Sequence, residues 1–222
     1  MIDIHTHVIP NVDDGCESID EAIEMIVKSK TNGVNTIICT PHFILNRFTK
    51  SALEIKTEFE KLKEEVKSRN IDVNLLLGQE IYYTEKVDIF KMIEEKKLLT
   101  INDSKYVLIE FDFIDKPNDL EEILYEFKVN KLVPIIAHVE RYDWITLEDV
   151  LIMKANGAKI QINSNSCLKL SGHKKYVFTK KLLKNSLVNF IASDMHSFRP
   201  TTLKEACVKW KFTNKNIFES NK

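Results

Sequence analysis

The first seven residues, MIDIHTH, place two histidines, His5 and His7, at the end of a short apolar segment. If that segment is a β-strand, residues two positions apart point to the same side, so both imidazoles can reach one divalent ion. Histidine is the commonest protein ligand of such ions. A pair of histidines is also compatible with two solvated side chains, so the pair predicts a metal site only if other ligands join it.

Further ionisable side chains occur repeatedly at one kind of position, directly after or at the end of a predicted strand. With the first pair they make up the set His5, His7, His42, Glu80, Glu110, His138, Asp194 and His196. Any one of them could be a buried core histidine or a helix-capping acid, but their shared placement indicates one site. Imidazole and carboxylate without thiolate suit Mn, Zn, Fe or Ni, and the ligands outnumber what one ion holds, so two or three ions are expected.

Clustered divalent ions generate a hydroxide nucleophile and clamp the oxygens of a phosphoryl group during in-line displacement, and Glu80 could bridge two of them. Phosphoester hydrolysis is the reaction this set favours. In the turn VDDG, Asp14 could fold back on the cluster, although both Asp13 and Asp14 could equally serve the turn itself.

Two arginines strengthen the phosphate interpretation. Arg141 comes three residues after His138 and Arg199 three residues after His196. A guanidinium presents a planar fork that matches phosphate oxygens, although either arginine could instead form a surface salt bridge. Asp194 and a metal-bound water are both candidates for the general acid that protonates the leaving group.

Seven predicted strands alternate with amphipathic helical segments. The strands are 2–4, 36–39, 73–77, 106–111, 133–137, 159–162 and 188–192, and the helices are 18–31, 50–69, 85–97, 119–130, 147–156, 174–185 and 202–211. Ser18 and Glu21 predict a capping box, and Gly33 and Gly157 predict left-handed helix ends. Alternating strands and helices predict an α/β fold with parallel strands, closed into a TIM-like (β/α)7 barrel with the site at the C-terminal ends of its strands.

Length and composition argue against several classes of protein. The chain has 222 residues without a linker-like segment, which predicts a single domain over residues 1–222. Its 32 basic and 33 acidic residues are mixed, which argues against a nucleic-acid partner and against an anionic membrane. No apolar leader or long apolar run occurs, so we expect a cytoplasmic protein without membrane insertion. The four cysteines lack the C-x5-R spacing of a cysteine phosphatase and are predicted to be reduced bystanders.

The segments MIDIHTHVIPNVDDG, IICTPHF, GQEIYY, LIEF, AHVERY, QINSNS and ASDMHS resemble the bacterial polymerase and histidinol phosphatase (PHP) superfamily. Within it, the chain is most similar to the CpsB/CapC-like, manganese-dependent protein tyrosine phosphatases of capsule and exopolysaccharide loci. The similarity runs in order from residue 1 to about residue 200.

The resemblance implies a distorted (β/α)7 barrel (PHP fold) with a trinuclear manganese site, with Fe, Zn, Co or Mg as alternative ions. It implies that Arg141 and Arg199 hold the phosphate. It also divides the ligands among three ions: one is bound by His5, His7, Glu80 and Asp194; a second by Glu80, Glu110 and His138; and a third by Asp14, His42 and His196.

The implied substrate is phosphotyrosine on the tyrosine-rich tail of a membrane-associated bacterial kinase that controls polysaccharide export, and an oligomer is compatible with the sequence. Two alternatives stay open: another PHP phosphoesterase, such as a histidinol-phosphate or small phosphomonoester hydrolase, and a metal-binding kinase partner with little turnover.

The chain departs from the family pattern at Tyr82, at Val139 and in a short loop between His196 and Arg199. We expect these three departures to alter substrate binding and to leave the metal ligands unchanged. Four aromatic residues could lie near the substrate ring, or could instead serve in packing or in a lid: Phe43, Phe48, Tyr82 and Tyr83.

Overall fold

In the computed structural model, which describes residues 1–196 and 202–218, nine short β-strands pair in parallel and alternate with helices. The strands are β1 (Ile2–Thr6), β2 (Thr36–Cys39), β3 (His42–Phe43), β4 (Asn74–Leu77), β5 (Glu80–Tyr82), β6 (Tyr106–Glu110), β7 (Val133–Ile136), β8 (Lys159–Asn163) and β9 (Phe190–Ala192). The helices are α1 (Ile19–Thr31), α2 (Ala52–Ser68), α3 (Ile89–Glu94), α4 (Leu120–Val129), α5 (Leu147–Ala155), α6 (Ser164–Cys167), α7 (His173–Lys184) and α8 (Leu203–Trp210). The predicted α/β class with parallel strands is confirmed.

The strands form two sheets, so one closed sheet of seven strands is not confirmed. Three strands pair in the order β1-β2-β4, and six pair in the order β3-β5-β6-β7-β8-β9. The additional strands, β3 and β5, continue β2 and β4 after breaks of two residues. Pro41 lies in the first break, where it has no N–H to continue the ladder.

Main-chain hydrogen bonds nevertheless continue the strand pairing across these breaks and join the first sheet to the second beside β1. The Gly78 N–H donates to Cys39 O at 2.8 Å and the Glu80 N–H to Pro41 O at 3.0 Å. On the other side, the His7 N–H donates to Met195 O at 3.0 Å, which joins the end of β1 to the chain after β9. The C-terminal ends of the strands are thereby held beside one another.

Helix ends follow the local sequence in most places. Gly33 (φ +82°) and Gly157 (φ +91°) adopt the left-handed backbone predicted for them. The predicted capping box at Ser18 is only half formed: its hydroxyl accepts the Glu21 N–H, but the Glu21 carboxylate accepts the Glu17 N–H. Complete capping boxes begin α2, at Ser51, and α5, at Thr146, where an acid three residues later returns to the cap.

The core has two parts. The larger cluster lies between helices and sheets, and a smaller one draws buried side chains from strands of both sheets. The smaller cluster includes Ile4 of β1, Ile38 of β2, Leu108 of β6, Ile135 of β7 and Ala192 of β9. Among the described residues, no helix combines the length and the hydropathy needed to cross a lipid bilayer.

Candidate metal centre

All nine predicted ligand side chains lie in one cluster at the ends of the strands, and all of them except Asp14 and His42 are buried. They fall into four overlapping groups, in each of which the ligand atoms lie within 4.8 Å of one another. The groups are His7, Asp14, His42 and His196; His5, Glu80 and His138; His5, His7 and Asp194; and His42, Glu80 and Glu110. Because the groups share members, the cluster could hold more than one ion.

The spacing at the centre of the cluster fits a shared divalent ion. His5 Nε2 and His7 Nε2 lie 3.1 Å apart, and Glu80 Oε2 lies 3.1 Å from the former and 3.3 Å from the latter. Ligand atoms about 2.1 Å from one ion are about 3.0 to 3.4 Å from one another in octahedral or tetrahedral geometry. Three buried ligand atoms therefore already have the separations that a common ion requires.

A second observation supports the same fit. His42 Nδ1 and Glu80 Oε2 lie 3.0 Å apart, and neither of these buried atoms makes a hydrogen bond within the described part of the chain. A buried polar atom without a partner is costly, and coordination of a cation by both atoms would satisfy them. The donor set of imidazole and carboxylate is the one that Mn, Fe and Zn accept.

Asp14 forms the open side of the cluster. Its Oδ1 lies 3.3 Å from His196 Nε2 and 3.7 Å from His42 Nε2, and its side chain is 42% exposed. The pKa of Asp14 is held well below its usual range, chiefly by its hydrogen bond with His196. Asp14 therefore folds back on the cluster as a charged carboxylate, at the edge that faces solvent.

The ligands are grouped somewhat differently from the predicted division among three ions. His7 belongs to the group of Asp14 as well as to that of His5. Glu110 groups with His42 and Glu80, and its Oε1 also lies 3.4 Å from His138 Nε2. The division among individual ions stays a prediction.

Burial and mutual charge shift the pKa values inside the cluster in opposite directions. Burial and the neighbouring Glu80 carboxylate raise the pKa of Glu110 to about 9, whereas the charges of His5 and His42 outweigh burial and hold that of Glu80 well below its usual range. Burial lowers the pKa of His42 to about 4. A lowered pKa favours the neutral imidazole that metal coordination requires.

Asp13, which the sequence left undecided between turn and cluster, supports the site from behind. Its buried carboxylate accepts hydrogen bonds from His7 Nδ1 at 2.6 Å and from the His42 N–H at 2.9 Å. A carboxylate on the far nitrogen of a histidine fixes its tautomer and orientation, so that in the neutral ring the His7 Nε2 lone pair points at the cluster.

Two amides on β8, neither of them among the residues predicted for the site, link several ligands. Gln161 Oε1 accepts the His138 N–H at 2.7 Å and lies 3.2 Å from His5 Nδ1. Gln161 Nε2 donates to Asn163 Oδ1, and Asn163 Nδ2 donates to Asp194 Oδ2 at 2.7 Å. Both amides are buried on one face of β8, because residues two positions apart on a strand share a face, but the residue type alone does not indicate this role in the sequence.

Arg141 lies at the rim of the cluster. Its Nη1 donates to Asp194 Oδ2 at 3.0 Å, its guanidinium lies 4.4 Å from the centre of the Phe113 ring, and its side chain is 26% exposed. Burial opposes the ionised form of Asp194, but charges including His5 and His138 hold its pKa well below the usual range, which favours a ligand over a proton donor. Arg199 lies outside the described residues, as does its loop.

The other departures from the family pattern have local partners. The Tyr82 hydroxyl donates to Asp112 Oδ2 at 2.7 Å, and Val139 is fully buried. Of the predicted aromatic surface, Phe43 is buried, whereas the Phe48 ring stacks on His42 with 5.8 Å between ring centroids. Phe48 is thus the aromatic residue of that set in ring contact with a predicted ligand.

All four cysteines are free and buried, and burial raises the pKa of each thiol. A thiol with a raised pKa is a poor nucleophile at neutral pH. The predicted role of the cysteines as bystanders is consistent with this environment.

Comparison with known proteins places the chain in a protein family. A family model described as capsular polysaccharide synthesis, CpsB/CapC, matches residues 1–216. CapC of Staphylococcus aureus is 36% identical over 209 residues, covering 92% of this chain and 81% of that protein. The tyrosine-protein phosphatase CpsB of Streptococcus pneumoniae is 35% identical over 216 residues, covering 93% of this chain and 88% of that protein.

Two solved structures with a similar fold come from phosphatases. A crystal structure from work on YwqE of Bacillus subtilis and CpsB of Streptococcus pneumoniae, described as metal-dependent tyrosine phosphatases, superposes with a TM-score of 0.88 at 30% identity, over 95% of this chain and 86% of that chain. A histidinol phosphate phosphatase from Lactococcus lactis shares the fold, with a TM-score of 0.60 at 14% identity over 94% of this chain and 91% of that chain. The chain therefore belongs to the CpsB/CapC family of capsular polysaccharide synthesis.

Proposed function

We propose that this protein is a metal-dependent protein tyrosine phosphatase. The observation that carries the proposal is the buried cluster of nine imidazole and carboxylate ligands with an arginine at its rim. The relatives named as tyrosine-protein phosphatases point to phosphotyrosine as the substrate group. The buried thiols make a cysteine nucleophile a poor alternative.

The ligand cluster would hold two or three ions, which we propose to be manganese, with Fe, Zn, Co or Mg as alternatives. When bound, these ions supply an activated water and the positive charge that phosphoryl transfer needs. The protein's own contribution is to fix the ligands. Asp13 holds His7 from behind, and Gln161 connects His5 to the His138 main chain.

Arg141 would bind the phosphoryl group. Asp194 holds one of its nitrogens, and the Phe113 ring lies beneath the guanidinium, so its position is fixed before the substrate arrives. A guanidinium fixed in this way can donate to phosphate oxygens as their negative charge develops. We propose Arg199 as a second such residue on the basis of its sequence position alone.

Substrate choice and metal dependence can be tested with purified protein and a panel of phosphotyrosine peptide, phosphoserine peptide and histidinol phosphate. We expect hydrolysis of the phosphotyrosine peptide, and a loss of at least about a hundredfold in His42→Ala and His138→Ala. His173→Ala is the matched control, because His173 is the one histidine outside the cluster. Preference for histidinol phosphate, or full activity in His42→Ala, would overturn the proposal.

The physiological substrate that we propose is a phosphotyrosine protein of polysaccharide synthesis, in particular a membrane-associated tyrosine kinase, which would be dephosphorylated in the cytoplasm. Membership of the family of capsular polysaccharide synthesis supports a substrate that acts in polysaccharide synthesis. The test in cells is to compare kinase phosphorylation after deletion of the gene with that after His42→Ala and His138→Ala. If deletion changes phosphorylation and the substitutions do not, the protein is a binding partner of the kinase and not its phosphatase.

We also infer that the two sheets form one distorted barrel within a single domain. The smaller core cluster contains Ile4 and Ile38 from one sheet and Leu108, Ile135 and Ala192 from the other. Side chains from opposite sheets would meet in this way inside a barrel. A cooperative unfolding transition that coincides for all optical probes is expected, and two separate transitions would contradict a single domain.

A further inference from the structure

Two arginine–phenylalanine pairs flank the cluster of predicted ligands, at the ends of different strands. The Arg141 guanidinium lies 4.4 Å from the centre of the Phe113 ring, and Phe113 lies 5.7 Å from the His138 ring. The second pair repeats this arrangement on His42: Phe48 stacks at 5.8 Å, with an arginine, Arg47, 4.7 Å from the centre of its ring. This second arginine is not among the residues predicted for the site.

Arg47 is carried by a tight turn that is fixed next to the cluster. The Ile44 N–H donates to Phe48 O at 3.0 Å and the Phe48 N–H donates to Ile44 O at 2.9 Å, and Asn46 takes the left-handed conformation (φ +64°) that closes the turn. The turn follows β3 directly, so its position is tied to His42, a predicted ligand. Arg47 is therefore presented at a defined place on the rim.

The side chains of the two arginines differ in solvent exposure. Arg141 is 26% exposed and lies 3.0 Å from the buried carboxylate of Asp194. Arg47 is 64% exposed, and its only ion pair among the described residues is a 3.7 Å contact with Asp14, which is itself 42% exposed. Arg47 is thus nearer to solvent than Arg141, and we expect the part of a protein substrate beyond the phosphotyrosine to pass there. An exposed pair at 3.7 Å is weak, so its guanidinium can exchange partners at little cost.

We propose that Arg47 is a specificity-determining residue that binds an acidic side chain next to the phosphotyrosine of the substrate. The proposal rests on the proposed phosphatase function. Phe48 supports the guanidinium from below, in the way that Phe113 supports Arg141, and so limits the freedom that Arg47 loses on binding. Once Asp14 holds a cation, its charge is offset, which frees Arg47 for an anion of the substrate.

The test is a set of phosphotyrosine peptides that carry Glu, Gln or Lys at positions flanking the phosphotyrosine, together with non-hydrolysable phosphonate versions for affinity measurements. For the wild type we expect kcat/KM to be about fivefold higher for the best Glu peptide than for its Gln counterpart, with a matching ratio in Kd. Arg47→Ala should bring both ratios close to one, and Arg47→Glu should favour the Lys peptide. Added salt should reduce the wild-type preference.

Arg69→Ala is the matched control, since it removes an exposed arginine far along the chain, paired with Asp20 and Glu65. It should retain the wild-type preference. If Arg47→Ala keeps the preference for Glu, or if Arg47→Glu fails to reverse it while both variants still hydrolyse the Gln peptide, the proposal is wrong. Failure of the phosphatase function itself would look different, because the wild type would then hydrolyse none of the peptides.

Discussion

At the scale of single residues, Asp13 shows how a buried side chain can govern the site without being one of its ligands. Its carboxylate accepts hydrogen bonds from His7, from the main chain of His42 and from the main chain of Gly15. The His7–Asp13 contact holds the pKa of Asp13 below its usual value despite burial. One carboxylate thereby orients two predicted ligands on different strand ends.

We predict that Asp13→Asn lowers the affinity for divalent metal by about tenfold to a hundredfold, because the amide is a weaker acceptor for His7 Nδ1. Calorimetric metal titration of the metal-depleted protein measures this directly. Asp88→Asn is the control, since Asp88 caps α3 and asparagine caps a helix equally well. Unchanged metal affinity in Asp13→Asn would show that the contact is merely structural.

At the scale of elements, the turn after β1 depends on a glycine. A Cβ placed on Gly15 would lie 2.1 Å from His7 O and 2.7 Å from His7 Cβ, so the main chain of the turn packs directly against the strand end. This close approach sets Asp13 and Asp14 beside the cluster. No side chain larger than hydrogen fits without moving them.

Gly15→Ala is therefore predicted to weaken metal binding and to cost about 1 to 3 kcal/mol of stability. Metal titration and urea unfolding measure the two effects. Gly157→Ala separates them: its Cβ would meet no atom within 4 Å, but the left-handed backbone costs about 1 kcal/mol. The control Gly157→Ala should lose stability but keep its metal affinity. Equal metal affinity in Gly15→Ala and Gly157→Ala would contradict the role assigned to the turn.

The start of α5 provides a pH-dependent test away from the metal cluster. Asp149 accepts from the Thr146 N–H and hydroxyl and from Lys116 Nζ. Burial opposes its charged form, but these contacts outweigh burial and hold the pKa of Asp149 below its ordinary value. A lowered pKa means that the ionised form contributes stability above the unfolded pKa, and that this stability disappears as the pH falls through the folded pKa.

Asp149→Asn should therefore be less stable than the wild type by about 1 kcal/mol near pH 7, with the difference shrinking below about pH 4. Urea unfolding of both proteins across this range measures it. Asp143→Asn removes an exposed pair with Lys174 and should change stability by less than about 0.5 kcal/mol. A difference between Asp149→Asn and the wild type that grows toward acid pH would have the wrong sign for a carboxylate stabilised in its charged form.

Element boundaries show what the sequence could and could not predict. The seven predicted strands all occur with ends within about two residues of those found, because each contains a short apolar run. The strands β3 and β5 were missed because runs of two and three residues carry no readable period. Without the family resemblance, which named Asp14 alone, the residues did not distinguish Asp13 from Asp14, because acids in a turn look alike until the chain is folded.

Gln161 and Asn163 were missed for another reason: a neutral amide has no residue-type signature for metal support, and only its position relative to the ligands gives it one. Ionisable residues are different. A buried histidine or carboxylate is costly without a partner, so the repeated placement of such residues at strand ends is informative in the sequence itself. For this reason the sequence named nine side chains that the structure brings together, whereas the amides that link them were not named.

At the scale of the whole molecule, the parallel strands place distant parts of the sequence at one end of the fold. Met195, three residues after β9, pairs with Thr6 at the end of β1, and the Asp194 N–H donates to His5 O at 3.0 Å. The cluster thus depends on long-range contacts between β1 and β9. Metal bound there should stabilise the whole fold, by an amount set by the metal concentration relative to its Kd.

The central claim, that phosphotyrosine hydrolysis depends on bound metal and on no cysteine, is tested most directly by measuring metal content and phosphotyrosine hydrolysis in the same sample. The protein would be dialysed against a chelator and then titrated with Mn²⁺. We predict that activity disappears with the metal and returns as two or three ions bind per chain. Full activity in the metal-free protein, or activity that is lost on thiol alkylation while the metal remains bound, would contradict the claim.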